Sequence, residues 1–221
     1  GATSAVLMLV FKDTILGLAA GVRLTSNDML HKGDWITVKS VDANGIVEDM
    51  SLTTVKVRNF DNTIVTISPA TLVNGSFQNW IGMQKSGGRR VKRIVYFDFR
   101  SIRLVDETLK QTLLAKHFAT EDSFKLKESL QKAIEKDIQE GKDIEDLKNP
   151  AALAPTNLQL YRRFMEKYLR QRPEVNTELT LMVRHMEATQ CGLPIEFYFF
   201  IKDKVWVNYE HILADIMEHA Y

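Results

Sequence analysis

Sulfur chemistry is almost missing from this chain. Its 221 residues include one cysteine, Cys191, so no intrachain disulfide can form and no cysteine-rich metal site can be assembled. An excess of charge of one sign is missing too. With 29 Lys plus Arg against 28 Asp plus Glu the formal charge is +1, which excludes a globally basic surface for nucleic acid or membrane. Signatures of catalysis are also lacking: there is no HExxH, no P-loop, no GxSxG and no GxGxxG, and His31, His117, His185, His211 and His219 show no ligand-pair spacing with a matching carboxylate. His185 and Cys191 form the one Cys/His combination, and a strand residue and a small turn residue are the simpler reading of them. Asn74-Gly75-Ser76 matches a glycosylation sequon but has no secretory context. The expectation is a non-enzymatic protein without metal or cofactor. What remains, 45% hydrophobic and 26% charged residues, is an ordinary globular composition.

Long apolar runs are scarce, and the one present opens the chain. Ala2 to Leu24 is apolar except for Lys12, Asp13 and Arg23, and as a helix it would extend roughly 34 Å at 1.5 Å per residue, enough to cross a bilayer core. Charges at mid-span are costly in hydrocarbon, so a bend is expected near Lys12 and Asp13, or else water or protein beside them. Asp13, Gly17, Ala20, Gly21 and Leu24 share one helical face, where the small residues permit close backbone approach. Two readings stay open from the residues alone: a buried core helix, and a helix packed beside copies of itself in or on a membrane. The chain opens on Gly1, has no signal-peptide pattern, and stops inside a helical pattern (Val207 to Tyr221, with Asn208 as expected N-cap), so a piece of a longer protein is expected.

From Asp34 to about Ser76 the period becomes two. Short runs rich in Val, Ile and Thr (DWITVKSV, IVEDMSL, TTVKVRNF, TIVTIS) are divided by Asn44-Gly45, by Asp49 to Leu52 and by Asp61-Asn62, the chemistry of tight hairpins. A small bent barrel or meander is expected. Gly87-Gly88 and the basic cluster Lys85, Arg89, Arg90, Lys92 and Arg93 then read as a linker and domain boundary, solvated or paired between domains rather than bound to nucleic acid. Beyond it come a strand (RIVYFDF), a helix from about Asp106 to His117, a charged amphipathic stretch with Phe124, Leu126, Leu130, Ile134 and Ile138 at helical spacing, a helix from about Asn157 to Arg172, two strands (ELTLMVRHM and IEFYFFI, joined by a turn at Cys191 to Pro194) and a last helix. Without the charged stretch this order is β-α-β-β-α, the split βαβ plan of ferredoxin-like folds.

The run FKDTILGLAAGVRL, then KGDWITV, GIVEDMSLTTVKVRNFDNTIVTISPATLV and SFQNW, resembles the small-conductance mechanosensitive channel family, closest to its bacterial miniconductance-type subgroup, in which GGRR and an inserted segment in the last domain also recur. The carriers are an Ala/Gly-rich helix, Gly-Asp-Trp opening the first strand, a Gly in the first hairpin and Thr-Thr before a later strand. Ile67-Ser68-Pro69-Ala70 stands where several members have Ile-Pro-Asn after the fourth strand.

The resemblance implies an α+β chain in three parts: residues 1–28, the end of a pore-lining transmembrane helix and an interfacial helix; 29–84, an Sm-like β-domain; and 85–221, a ferredoxin-like α/β domain with an insertion at about 120–156 and an incomplete C-terminus. It implies a ring of seven identical subunits that opens under membrane tension to release solutes in hypo-osmotic shock, in a bacterial inner membrane, with this region largely a cytoplasmic vestibule. Its partners are then other copies, the lipid bilayer, and permeating ions and small solutes, with no nucleic acid and no cofactor. Ala5 and Leu9 fall at the narrow apolar constriction, and Asp13, Gly17, Ala20 and Gly21 on the helix-packing and gating face. From another class, the alternative is a soluble Sm-like nucleic-acid-binding module using the basic linker.

Overall fold

A computed structural model describes residues 2–125, 128–141 and 154–221. They divide into two compact units, Gly1–Ser86 and Gly87–Tyr221.

The first unit opens with α1 (Ala2–Ser26). The helix is uninterrupted through Lys12 and Asp13, where the sequence suggested a bend. At 25 residues it has the length to span a bilayer, yet among the described residues no helix is both long and apolar enough to do so. It ends in a Schellman turn. Asp28 adopts φ 57°, the Met29 amide donates to the Leu24 carbonyl at 3.1 Å and the Asp28 amide to the Thr25 carbonyl at 3.3 Å, which satisfies carbonyls the helix leaves open.

Five antiparallel strands follow: β1 (Trp35–Val38), β2 (Ala43–Met50), β3 (Val55–Asn59), β4 (Ile64–Ile67) and β5 (Gln78–Asn79), in the order β4-β3-β2-β1-β5. The expected meander is present. It is open rather than ring-closed, because no β4–β5 pairing exists among the described residues. The alternation has the expected cause: Ile36, Val38, Val47, Val55 and Val57 point to one side and are buried, together with Leu24 of α1 and Leu72 of α2 (Pro69–Asn74). Register requires Gly45, because a Cβ there would lie 1.9 Å from the Arg58 carbonyl oxygen across the β2–β3 pair. Ser68-Pro69 after β4 is a helix start: Ser68 accepts the Thr71 amide at 3.2 Å, and Pro69 sits where no amide donor is needed. A five-residue helix, α3 (Ile81–Lys85), closes the unit.

The second unit contains β6 (Arg89–Phe97), β7 (Met182–His185) and β8 (Leu193–Ile201) in the order β6-β8-β7, every neighbour antiparallel. β6 and β7 are therefore parallel to each other with β8 inserted between them, the split βαβ arrangement read from the sequence. One face of this sheet, with Val91, Val95, Phe197, Phe199 and Ile201, packs against α7 (Asn157–Gln171) and α8 (Trp206–Ala220) through Met165, Leu169, Leu213 and Ile216. The remaining helices are α4 (Glu107–Ala115), α5 (Glu121–Phe124) and α6 (Glu128–Gln139).

Several local expectations need correction. Asn208 does not cap α8; it donates to Asp203 at 2.9 Å, while the other Asp203 oxygen accepts the Val205 amide that precedes the helix. The single amphipathic helix expected from Phe124 to Ile138 is divided, because a Thr120/Ser123 capping box builds one isolated turn that ends at Lys125. Leu126 lies outside the described residues, and Ile138 is exposed. The largest correction concerns the basic linker. Only Lys85 precedes the unit boundary, at the end of α3, whereas Arg89, Arg90, Lys92 and Arg93 are residues of β6.

Candidate functional site, the joint between the first helix and the β-domain

Sequence reasoning assigned a gating face to α1, and the structure divides that face in two. Toward the C-terminal end, Leu24 has no exposed surface and belongs to the unit's core, and Ala20 is 6% exposed. Gly21 is the tightest point of this contact. A Cβ at Gly21 would lie 2.2 Å from the Leu52 carbonyl oxygen, so only glycine admits the loop between β2 and β3. Toward the N-terminal end Asp13 is exposed, and a Cβ at Gly17 would meet nothing within 4 Å. Ala20 and Gly21 thus serve the joint with the same chain's β-domain, and Asp13 and Gly17 stay open.

The loop that meets Gly21 is itself built by local chemistry. The Ser51 amide donates to the Thr54 carbonyl at 2.8 Å, and the Thr54 amide donates to the Ser51 hydroxyl at 3.0 Å, a turn that presents the Leu52 carbonyl to the helix. Thr53-Thr54, one carrier of the family resemblance, is part of that turn.

A second brace lies where α1 hands over to β1, and sequence reasoning assigned it no role. Asp34 is 6% exposed, and one of its oxygens accepts the His31 amide at 3.1 Å and the Asn79 side-chain amide at 2.8 Å. Asn79 also donates to the Met29 carbonyl at 3.3 Å and accepts the Ile81 amide at 2.9 Å. One carboxylate and one carboxamide therefore tie the end of α1, the start of β1, and β5 together. Beside them Trp35 stacks on Trp80 at 4.6 Å between ring centres, and the two indole N–H groups donate to Asn44 and Thr37 at 2.9 Å each. The signal was in the sequence: Gly-Asp-Trp and Asn-Trp are the two motifs whose side chains meet here.

Farther along α1, Leu9 is 76% exposed, and Val6, Val10, Phe11, Ile15 and Leu16 are exposed as well. Ala5 lies on the same helix, its side chain outside the described residues. So large an apolar exposure on one helix marks a surface that a monomer in water does not favour.

The basic residues of β6 form no common site. Arg90 and Lys92 alternate onto the sheet face away from the helices, where Lys92 lies 3.6 Å from Glu196 and the Arg90 guanidinium lies 5.9 Å from the Tyr198 ring centre. Arg89 lies over the Tyr209 ring at 4.3 Å, and the Tyr209 hydroxyl donates to the Arg90 carbonyl at 2.9 Å. Burial pushes that hydroxyl above its ordinary pKa, while Arg89 and Arg93 pull the other way. Arg184 donates to Glu196 at 2.7 Å. Among the described residues no group of His, Cys, Asp and Glu could hold a metal ion.

Residues 13–82 match the family profile described as "Mechanosensitive ion channel, beta-domain". Over 73 residues the chain is 33% identical to the small-conductance mechanosensitive channel MscMJ of Methanocaldococcus jannaschii, a match that covers 33% of this chain and 20% of that one. It is likewise 33% identical over 88 residues to an uncharacterized MscS family protein of Aquifex aeolicus, covering 40% and 23% of the two. The chain therefore spans about a fifth of the length of these curated relatives. Among solved structures, MSL1 of Arabidopsis thaliana matches with a TM-score of 0.62 at 10% identity, over 100% of this chain and 59% of that one. The closed-state crystal structure of Helicobacter pylori MscS matches with a TM-score of 0.59 at 14% identity, over 99% and 63%. At those identities the structures show a shared fold. The profile covers the α1-to-β5 joint built by Gly21, Asp34 and Asn79, and residues 13–82 are thus similar to a mechanosensitive-channel β-domain.

Proposed function

We propose that this chain is part of one subunit of a mechanosensitive ion channel in a bacterial inner membrane, in which it forms the cytoplasmic vestibule below the pore, and that a ring of seven copies opens under membrane tension to release ions and small solutes in hypo-osmotic shock. One observation carries the reading: an exposed apolar helix runs without interruption into the family's β-domain, joins that domain's core at Leu24 and meets its Leu52 backbone at Gly21. Such a helix cannot enclose a pore alone, and copies of it around an axis can.

In the proposed channel Leu9, and Ala5 one turn earlier, line the apolar constriction, which shuts by dewetting. Tension favours the wider state because that state occupies more membrane area. Asp13 and Gly17, open in the single chain, face the neighbouring helix. The finer placement in the miniconductance-type subgroup rests on the GGRR run and the insertion alone. Nothing supports the nucleic-acid alternative: four of its five linker residues are residues of β6, with Lys92 3.6 Å from Glu196 and Arg89 over the Tyr209 ring of α8.

The test is light-scattering mass of the full-length protein, followed by patch recording of Leu9→Ser. Seven copies, and a lower opening tension in the variant because a hydroxyl wets the constriction, support the proposal. A monomer would sink the pore, and an unchanged threshold would remove Leu9 from the constriction.

A further inference from the structure

The second unit contains a cavity that the channel reading does not use. It measures about 440 Å³ and lies between α4, α7 and α8, with Leu109, Leu113, Phe118, Leu160, Phe164 and Met165 supplying its apolar wall. Its volume and its apolar lining are those of small-molecule sites. A second, polar recess of about 250 Å³ adjoins it, sharing Phe118, Leu160 and Phe164 and bringing in Arg163 and Lys167 from the next turns of α7. Phe118 and Phe164, edge to face at 5.4 Å, stand where the two meet.

The charges around the recess leave it cationic. Its acidic neighbours are already engaged: Glu121 by Lys110 at 3.6 Å, Asp122 by Lys125 at 2.7 Å, and Glu166 by Arg170 at 3.0 Å. Arg163 donates one N–H to the Ser123 carbonyl at 3.0 Å, and a guanidinium has five such donors. Among the described residues neither Arg163 nor Lys167 pairs with a carboxylate. The one carboxylate side chain lining the apolar cavity, Glu218, is exposed and does not line the recess. An apolar slot adjoining a cationic recess is complementary to one kind of molecule: a hydrocarbon body that ends in an anionic group.

We propose that this unit binds a medium-chain fatty carboxylate, with its hydrocarbon chain between α4, α7 and α8 and its carboxylate on Arg163 and Lys167. Lys167 is exposed and supplies the head-group charge, so its removal leaves the fold alone. The hydrocarbon end is recognised by shape and burial, the carboxylate end by two charge-assisted contacts. The proposal is independent of the channel reading.

The experiment is titration of the purified chain with decanoate, below its micelle concentration, against neutral decanol, followed by calorimetry and by NMR shifts of Leu113 and Phe164. Expected are saturable binding of both ligands, with Lys167→Glu weakening decanoate about threefold or more and leaving decanol unchanged, as for a solvent-accessible ion pair. Leu113→Trp, which fills the slot, abolishes both; should that variant melt early, Lys167→Glu still decides. No saturable binding, or equal response of decanoate and decanol to Lys167→Glu, overturns the proposal.

Discussion

Gly21 shows how much one hydrogen atom in place of a methyl can settle. A side chain there must displace the Leu52 backbone, which the Ser51–Thr54 turn holds, while Gly17 four residues earlier has empty space beside it. Gly21→Ala is therefore expected to destabilise the first unit by about 2–3 kcal/mol, and Gly17→Ala to leave it unchanged or firmer by up to about 1 kcal/mol through helix propensity. Denaturant unfolding of the two variants checks this; equal midpoints would mean that the helix does not rest on the loop. Tyr161 carries a pH prediction. Burial pushes its hydroxyl up from 10.0 to about 12, and that hydroxyl donates to the Ala220 carbonyl at the end of α8. A group with a raised folded-state pKa stabilises fully below its unfolded value and loses that contribution as pH rises through the folded one. Stability is thus expected to fall between pH 10 and about 12, with a shallower fall in Tyr161→Phe; parallel alkaline melting curves for the two proteins would refute it. The spacing of Gly17 and Gly21 was legible in the sequence. Which backbone each would meet was not, since Leu52 is brought to α1 only by the folded sheet.

β6 carries the lesson for elements. In Arg89 to Arg93 only Val91 is apolar, so the strand's alternation is hidden under four cations, and the run after Gly-Gly reads as a linker. Its partner, β8, lies about a hundred residues away along the chain, pairing Arg89 with Ile201 through to Phe97 with Leu193, and no local pattern announces that. By contrast Asp106, Ser68 and Thr156 are of the residue types that cap helices, and each accepts an amide three residues on. Glu196, fully buried in the central strand, holds the exposed face of the sheet together through Arg184 and Lys92. Glu196→Ala leaves both cations facing apolar strand surface and is expected to cost about 1–3 kcal/mol, the lower range applying because both partners are half in water. A chemical melt of the second unit reads this out, and an unchanged midpoint would make the ion pairs decorative.

On the scale of the molecule, two cores share no residue: one built on Ile36, Val55 and Leu72, the other on Met165, Phe197 and Ile216. Each is large enough to fold around, so residues 87–221 expressed alone are expected to melt cooperatively and at the temperature of the corresponding transition in the whole chain. A non-cooperative melt would show that the unit depends on the rest. The order of elements and the split βαβ plan were legible from periodicity and turn chemistry, because hydrophobic alternation and Asn-Gly or Asp-Asn turns act locally. The joint was legible only as motifs: Asp34 and Asn79 stand 45 positions apart, and their hydrogen bond exists only once β1 and β5 are neighbours.

The fixing of α1 at Leu24, Gly21 and Ala20 also has a mechanical side. A rod set in masonry at one end concentrates its flexure just outside the wall, and the wall here ends at Ala20. The first position beyond it with open space and no side chain is Gly17. In the proposed channel, force applied to the far end of the rod would be felt as bending near Gly17 and as torque on the β-sheet, with the helix between them acting as the arm.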